Sequence, residues 1–282
     1  MRPARRAASA LTMACRGALS ACALSACVPP PADEALTPLG QLSLVWSDEF
    51  DGAAGSPVDP ERWTHDVGGD GWGNNQLEHN TDRTENVRQD GEGRLIIEAL
   101  IEEYQGNAYT SGRILTKGRF TVQTGRVEAR IKLPVGSGLW PAFWMLGADI
   151  DAVSWPACGE IDVLEMRGEE PYTALGTVHG PGYSGADGIS GEYTLRNGTF
   201  ADDFHDFAVD IDPGHIAWMI DGEVFHTVTT GDLPDGAAWA FDRPFFLLIN
   251  LAVGGNFVGA LDESALPARV EVEHVRVYER AQ

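Results

Sequence analysis

The segment "RVEARIKL", residues 126–133, alternates apolar and polar side chains without a break. Its two faces are Val127, Ala129, Ile131 and Leu133 on one side, and Glu128, Arg130 and Lys132 on the other. Side chains of a β-strand point alternately to the two faces of its sheet, whereas those of a helix repeat about every 3.6 residues. The pattern therefore predicts an antiparallel strand with one buried face and one face in water.

Short strand-like runs recur along the rest of the chain, separated by Gly, Pro, Asn and Asp. They are "RLIIEAL", "GRFTVQ", "AFWML", "EIDVLEM", "ALGTVHG", "DFAVDID", "HIAWMID", "EVFHTV", "FFLLINLAV" and "VEVEHVRVYE". In "MIDGEVFHTV", the pair Asp221-Gly222 is typical of a two-residue hairpin turn. No segment carries a long helical period. The sequence thus predicts an all-β protein, built as a jelly-roll β-sandwich.

The start of the chain has the order of an export signal. Residues 1–26 are basic first and then rich in Ala, Leu, Ser and Cys, so we expect a lipoprotein-type signal peptide. The tetrapeptide "LSAC" resembles a lipobox that ends at Cys27, the expected lipidation site, and an earlier copy makes a cut at Cys22 the alternative. A Pro-rich tether over 27–42 leads to one domain over 43–282. We expect an exported protein, lipid-anchored at the bacterial cell envelope or otherwise secreted, with no other membrane contact.

The net charge and the cysteine content limit which partners and which chemistry are expected. The formal net charge is −22, or about −26 without residues 1–26, which hold four arginines and no acid. Such a surface repels polyanions, so nucleic acid is not an expected partner and a neutral substrate is favoured. Cys158 is the single cysteine of the predicted domain. It is more typical of a small core residue than of a nucleophile, because no Cys/His pattern accompanies it.

Three carboxylates lie on one apolar run, "EIDVLEM", residues 160–166. Burying a carboxylate without a partner is costly, so these acids are not expected to face the core. In a regular strand Glu160 and Asp162 share a face, while Glu165 points to the opposite one. One extra residue in a β-bulge near Val163-Leu164 would return Glu165 to the face of the other two acids.

Paired carboxylates on one face indicate glycoside hydrolysis. In retaining enzymes they lie about 5–5.5 Å apart, one as nucleophile and the other as acid and base. A third acid between them can share a proton and hold their pKa values apart. Calcium binding fits the pattern less well, because calcium loops place Gly and Asn in a turn. Glycosyl transfer to a sugar uses the same residues, and a charged strand edge without function is the remaining alternative.

These residues sit among longer blocks that resemble glycoside hydrolase family 16, in particular its bacterial laminarinase-like, endo-β-1,3-glucanase branch. The blocks are "WSDEFDG" (46–52), "WGNNQLEHNTDRTENVR" (72–88), "TKGRFTVQTGRVEARIKLP" (116–134), "GLWPAFWMLG" (138–147), "EIDVLE" (160–165) and "PFFLLINLAVGG" (244–255). The resemblance implies a concanavalin-like jelly roll with an open substrate cleft on its concave sheet. It also implies that Glu160 is the nucleophile, Asp162 its helper and Glu165 the acid/base.

Substrate-binding residues are expected around the acids. Flat aromatic side chains stack on the apolar faces of sugar rings, and the chain has eight tryptophans. The expected contacts, several of them implied by the resemblance, are Asn75, Arg113, Trp140, Trp144, Trp155, His179 and Phe257. Trp46 and Trp63 are expected in the core. The chain departs from the family at Asp210-Ile211 and at Phe257-Val258, both expected near the cleft rim.

A structural Ca²⁺ is common in the family, whereas no cofactor is expected for catalysis. By resemblance, the ligands would be the carbonyl oxygens of Glu49 and Gly93 and the carboxylate of Glu273. Calcium accepts oxygen ligands of all these kinds. Glu273 stands where the family usually has Asp, so its side chain is longer than the usual ligand.

The sequence therefore predicts an endo-acting retaining hydrolase of a neutral β-glucan, β-1,3-linked like laminarin or of mixed linkage. We expect a monomer. The alternatives are a transglycosylase, a hydrolase of another polysaccharide such as a galactan, and a non-catalytic glycan-binding protein on the same fold.

Overall fold

The structure of the chain is a computed structural model that describes residues 42–280. The predicted signal peptide, Cys27 and nearly all of the predicted tether lie outside the described residues. Within residues 42–280, no helix is long and apolar enough to cross a membrane.

Strands dominate the described part of the chain. They are β1 (Leu42–Asp48), β2 (Thr64–His65), β3 (Glu78–Asn80), β4 (Val87–Gln89), β5 (Leu95–Tyr104), β6 (Asn107–Ser111), β7 (Arg113–Leu115), β8 (Gly125–Lys132), β9 (Leu139–Gly147), β10 (Glu160–Met166), β11 (Thr173–His179), β12 (Ile189–Thr194), β13 (His205–Asp212), β14 (His215–Ile220), β15 (Glu223–Thr229), β16 (Phe245–Val253) and β17 (Ala268–Arg280). The helices are short: α1 (Ile150–Val153) and 3-10 turns at Gly185–Asp187, Thr230–Asp232 and Glu263–Ala265.

The strands form two sheets. The seven-stranded sheet has the order β12-β11-β10-β9-β16-β7-β2, so the acidic strand β10 lies near its middle. The ten-stranded sheet runs β15-β14-β13-β8-β17-β5-β6-β3, with β1 paired to β17 and β4 to β5. Two mainly antiparallel sheets with these long-range crossovers confirm the jelly-roll sandwich.

One contiguous apolar core joins the two sheets. The ten-stranded sheet contributes Val127, Ala129 and Ile131 of β8, all at most 1 % exposed, which confirms the alternation predicted for that strand. The seven-stranded sheet contributes Phe143 of β9 and Ile161 of β10, both fully buried. Each of the larger side chains, Val, Ile or Phe, stabilises the fold by roughly 1.5–3 kcal/mol relative to its exposed state. The core face of β10 is therefore fixed, and the opposite face is left for the acids.

Two local predictions had different outcomes. The hairpin is confirmed, because Asp221 and Gly222 join β14 to β15 with φ angles of 51° and 79°, as a type I′ turn requires. The strand predicted for "GRFTVQ" is wrong. The amides of Arg119 and Phe120 both bond to the carbonyl of Thr116, which closes a turn where extended backbone was expected.

Three other predicted positions are settled by burial. Trp63 is 1 % exposed, and the half-buried Trp46 lies edge-on to it at 5.6 Å between ring centroids, so both are core residues as predicted. Cys158 is fully buried in a small cluster with Leu146 and Phe246. Burial raises the pKa of its thiol, which is the opposite of what a thiolate nucleophile needs.

The prediction that Asp210-Ile211 lies near the cleft rim is wrong. Asp210 is on β13 of the ten-stranded sheet, on the sheet that does not carry the acidic strand. Its carboxylate accepts two hydrogen bonds from the Arg126 guanidinium, at 2.6 and 2.8 Å, and both side chains are buried. The departure at this position therefore lies in a buried ion pair of the other sheet, away from the acids.

Candidate active site

The predicted β-bulge is present on β10. Against β9, Asp162 pairs with Trp144 and Leu164 with Phe143, so the two residues after Asp162 face a single step of the neighbouring strand. The register against β11 shifts over the same interval, between Asp162 and Glu165. Val163 is the extra residue. Glu165 therefore returns to the face of Glu160 and Asp162, as the five-residue spacing requires.

A tryptophan from the opposite sheet holds the bulged backbone. Trp218 of β14 is fully buried and donates its Nε1–H to the carbonyl oxygen of Asp162 at 2.8 Å. Gly176 on β11 leaves the room for this indole, since a Cβ placed there would lie 2.3 Å from Trp218 Cδ1. A buried carbonyl freed by a bulge would otherwise lack a partner. This cross-sheet bond fixes the bulge in place.

Each glutamate accepts a hydrogen bond from an indole. Trp155 Nε1 donates to Glu160 Oε2 at 2.6 Å, and Trp140 Nε1 donates to Glu165 Oε1 at 3.0 Å. Both tryptophans are among the predicted sugar contacts. A bond from N–H orients the carboxylate and favours its ionised form. The two glutamates are thus held by matching donors on either side of the site.

Asp162 lies between the glutamates and is only 2 % exposed. One of its oxygens is 3.2 Å from His179 Nε2, and a carboxylate oxygen of Glu160 lies within 4.8 Å of both groups. Two buried carboxyl groups this close repel each other when both are ionised, which favours a proton on one of them. If Asp162 holds that proton, Glu160 is left as a carboxylate, which is the form that can attack carbon.

Burial and mutual repulsion raise the pKa of all three acids. Burial and the charge of Asp162 raise the pKa of Glu160 to about 8. Burial and the charge of Glu160 raise the pKa of Glu165 to about 7. Burial and the charge of Glu165 raise the pKa of Asp162 well above its usual range. Near neutral pH the three groups therefore share protons, and the titration belongs to the set. The order of these pKa values, with Glu160 above Glu165, is the reverse of the assigned roles, so the roles rest on the resemblance of "EIDVLE" and not on this order.

Arg113 lies at the foot of the site. Its guanidinium is between the rings of Trp72 and Trp144, with Cζ 4.8 and 4.7 Å from their centroids. Its Nε is 3.1 Å from a carboxylate oxygen of Asp66, and it interacts electrostatically with Glu160. Arg113 and Trp144 are thus brought together with the nucleophile candidate, as expected of a substrate-binding floor.

The remaining predicted contacts lie on the loops beside the acids. Asn75 has a φ of 56° and donates its side-chain amide to Asn256 Oδ1 at 2.8 Å, which ties the two loops together. The ring of Phe257 lies 4.9 Å from that of Trp140, between centroids. Phe257 and Trp140 therefore form one aromatic wall next to Glu165.

Several residues of the site were not predicted. Trp72 was inside a quoted block, but only its contact with Arg113 reveals a role. Glu78 on β3 is fully buried and accepts the Val253 amide at 2.8 Å, and burial raises its pKa to about 7. Trp218 comes from the other sheet. No local pattern marks Glu78 as buried, because its neighbours are Leu77, which is 43 % exposed, and the polar His79.

Candidate metal ligands lie at two places, among the acids of the site and at the predicted calcium site. Within residues 42–280, one group of acids and histidines could hold an ion, Glu160, Asp162 and His179, with ligand atoms within 4.8 Å of one another. These are the residues of the reaction site itself. At the predicted calcium site, a Cβ on Gly93 would lie 4.0 Å from the Glu49 carbonyl oxygen, so these two residues are adjacent.

The third calcium ligand fits less well. The carboxylate of Glu273 accepts the Arg130 Nε–H at 2.8 Å, and this cation competes with any metal for the same oxygen atoms. The two carbonyls suit an oxygen-ligated ion, whereas the carboxylate as placed serves Arg130. The calcium ion stays a prediction.

Comparisons with known proteins agree with this geometry. Residues 73–273 match the family model described as Glycosyl hydrolases family 16. A protein named beta-glucanase from Rhodothermus marinus is 44 % identical over 244 residues, which is 83 % of this chain and 84 % of the relative.

Two solved structures are similar over most of the chain. The endo-beta-1,3-glucanase from Pyrococcus furiosus shares 45 % identity at a TM-score of 0.80, over 86 % of this chain and 95 % of the other. The laminarinase catalytic domain from Thermotoga maritima shares 42 % identity at a TM-score of 0.80, over 86 % and 100 %. The chain belongs to glycosyl hydrolase family 16.

Proposed function

We propose that this protein is an endo-acting retaining glycoside hydrolase that cleaves β-1,3-glucan of the laminarin kind, or mixed-linkage β-glucan. The bulge at Val163 carries the proposal, because it presents Glu160 and Glu165 to one sugar from the same face of β10. The names of the similar proteins, beta-glucanase and laminarinase, support this substrate class. The acidic net charge of −22 is compatible with a neutral polysaccharide.

In the first step, a Glu160 oxygen attacks the anomeric carbon while Glu165 gives its proton to the departing glycosidic oxygen. The products are a glycosyl ester on Glu160 and a shortened glucan with a free hydroxyl. In the second step, Glu165 takes a proton from water, the water oxygen attacks the same carbon, and the ester bond to Glu160 breaks. The configuration at carbon is retained because it inverts twice.

Neighbouring side chains support both steps. The Trp155 indole orients Glu160 toward the substrate, and Asp162, whose own pKa is raised by burial, lies beside it. The Trp140 indole holds Glu165 in a fixed orientation. Arg113, Trp72 and Trp144 offer flat apolar faces and one positive charge to the sugar rings.

The roles of the two glutamates can be separated by azide rescue on an aryl β-laminaribioside with a good leaving group. We expect Glu160→Ala and Glu165→Ala each to lower turnover by several orders of magnitude with the fold intact. Azide should give an α-glycosyl azide with Glu160→Ala, because it attacks from the vacated side. It should give a β-glycosyl azide with Glu165→Ala, because it intercepts the ester. Wild-type-like turnover in either variant, or exchanged anomers, would refute the assignment.

The substrate class is tested by reducing-sugar release from laminarin, lichenan, agarose and xyloglucan. Laminarin should be cut fastest, with lichenan second. Release from agarose alone would instead support the galactan alternative, and binding without release would support a glycan-binding protein.

We further propose that the protein is exported and lipid-anchored through Cys27, which rests on the basic, Ala-rich leader and its lipobox. Labelled palmitate should be incorporated into the wild-type protein expressed in a bacterial host. Cys27→Ser should abolish the labelling, and Cys22→Ser should not. The opposite result would assign the cut to Cys22.

A further inference from the structure

Arg167 follows Glu165 by two residues, just beyond the end of β10, and it is engaged on three sides. Its guanidinium carbon lies 4.1 Å from the centroid of the Phe257 ring. Its Nε donates to the carbonyl oxygen of the same phenylalanine at 3.0 Å, and its Nη1 is 3.3 Å from a carboxylate oxygen of Glu170. An arginine tied to both the ring and the backbone of one residue fixes that residue in position.

The contact continues to the acid/base. Phe257 packs on Trp140 with 4.9 Å between ring centroids, and the indole N–H of Trp140 bonds to Glu165. Arg167, Phe257 and Trp140 thus form a stack that ends on the carboxylate two residues before Arg167. A displaced Phe257 would free Trp140 and with it the hydrogen bond to Glu165.

The loops that carry this stack are fastened by the same segment. The carboxylate of Glu169 accepts the amide of Gly259, just after Phe257. It also lies 3.4 Å from the amide of Gly138, just before Trp140. Residues 167–170 therefore hold both ends of the aromatic wall, and the guanidinium of Arg167 is the group in contact with the ring.

We propose that Arg167 is a positioning residue for the hydrolysis proposed above. It presses the Phe257–Trp140 wall against Glu165 and places a permanent positive charge beside that carboxyl group. The inference rests on the proposed function, since it assigns a purpose to a charge near the acid/base. Glu165 becomes an anion when it gives up its proton in the first step, and it must be an anion to take a proton from water in the second. A fixed cation stabilises that anion at both points.

Charged and titratable groups reach Glu165 from each neighbouring element. Glu160 and Asp162 come from its own strand, and His179 from β11, while the wall residues from β9 and the Phe257 loop are neutral. After burial and the charge of Glu160, which raise the pKa of Glu165, the charges of His179 and Arg167 lower it. Removing the charge of Arg167 should therefore shift the ionisation of the acid set upward.

The test compares Arg167→Met, which keeps the aliphatic stem, with Arg167→Lys, which keeps the charge but loses the planar stack. Initial rates on laminarin are measured from pH 4 to pH 10. With Met, we expect the alkaline limb of kcat/KM to move up by about 0.5 pH unit, below the 1–3 units of a contact ion pair. kcat should fall roughly tenfold. With Lys, the limb should move less than with Met because the charge is kept, while KM rises several-fold because the wall loosens.

Two further variants separate this role from folding and from the proposed function. Phe257→Leu keeps the charge and removes the ring, so KM should rise while the alkaline limb moves less than in Arg167→Met. Arg62→Met removes an arginine whose exposed ion pair with Asp59 is outside the site, and it should leave both limbs unchanged. An unmoved limb in Arg167→Met, or equal limbs in the Met and Lys variants, would overturn the inference. Inactive wild-type protein would instead overturn the proposed function.

Discussion

Glu78 offers a direct test of how burial controls an acid in this fold. It is 0 % exposed on β3, accepts the Val253 amide at 2.8 Å, and lies 3.4 Å from the side-chain amide of Asn80. Burial raises the pKa of its carboxyl group from 4.5 to about 7, against the effect of these donors and of Arg113. Glu78→Gln keeps the shape and the acceptor oxygen but removes the ionisation.

The size of the effect follows from linkage. The pKa of Glu78 is raised by about 2.5 units on folding, and each unit corresponds to about 1.36 kcal/mol. Between the two pKa values the folded state binds a proton that the unfolded chain has lost. The free energy of unfolding therefore falls as pH rises through this window. Glu78 should destabilise the wild-type protein by about 3 kcal/mol more at pH 8 than at pH 4.5.

The assay is urea unfolding of the wild type and of Glu78→Gln at several values between pH 4.5 and pH 8. Other acids whose pKa is raised, such as Glu128, contribute the same slope to both proteins, so the difference isolates Glu78. Near pH 4.5 the two should differ little, since the Asn80 side-chain amide, whose Oδ1 is buried without a partner, can turn over and accept from the new amide. At pH 8 the variant should be more stable by about 3 kcal/mol. Parallel pH dependences would refute the reasoning.

Three other predictions concern the hydrogen bond to the bulge, the buried cysteine and the calcium site. Trp218→Phe should lower the free energy of unfolding by about 1–3 kcal/mol, because the Asp162 carbonyl loses its partner, and should lower kcat on laminarin. Unchanged kcat would mean that the bulge holds without it. Cys158→Ala should keep full activity and lose about 1 kcal/mol of stability in a melt, since the thiol only fills the core. A large loss of kcat would assign it chemistry. If calcium displaces Arg130 from Glu273, Ca²⁺ should raise the melting temperature of the wild type and not of Glu273→Gln. Equal melting temperatures with Ca²⁺ and with EDTA would contradict the calcium site.

The parts of the structure that sequence could predict are those set by local periodicity. The alternation in "RVEARIKL" decides which face of β8 is buried, and no distant residue is needed to see it. The bulge also follows from this alternation of side chains, because a regular strand would place the two glutamates on opposite faces. Glu160 and Glu165 are five residues apart, so a shared face is possible only if one residue drops out of the alternation, and Val163 does.

Most of what could not be predicted depends on contacts between residues far apart in the chain. Trp218 reaches the Asp162 carbonyl across the sandwich, 56 positions away, and no local pattern announces that bond. Arg167 meets Phe257 across 90 positions. "GRFTVQ" has the composition of a strand, but the carbonyl of Thr116 takes the amides that the strand would have needed. Long-range contacts decide the first two cases, whereas a local turn overrides the strand propensity of "GRFTVQ".

The buried acids lower the free energy of unfolding of this protein, whereas its apolar core raises it. Three carboxyl groups with raised pKa values on β10, and a fourth at Glu78, all weaken the fold as pH rises toward neutrality. The same crowding keeps a proton on the set at the pH where a glycosidic oxygen must be protonated. The continuous core between the sheets compensates for this loss of stability. The indole donors and Arg167 then limit how far the repulsion goes, because a carboxyl group that never ionised could neither attack a sugar nor activate water.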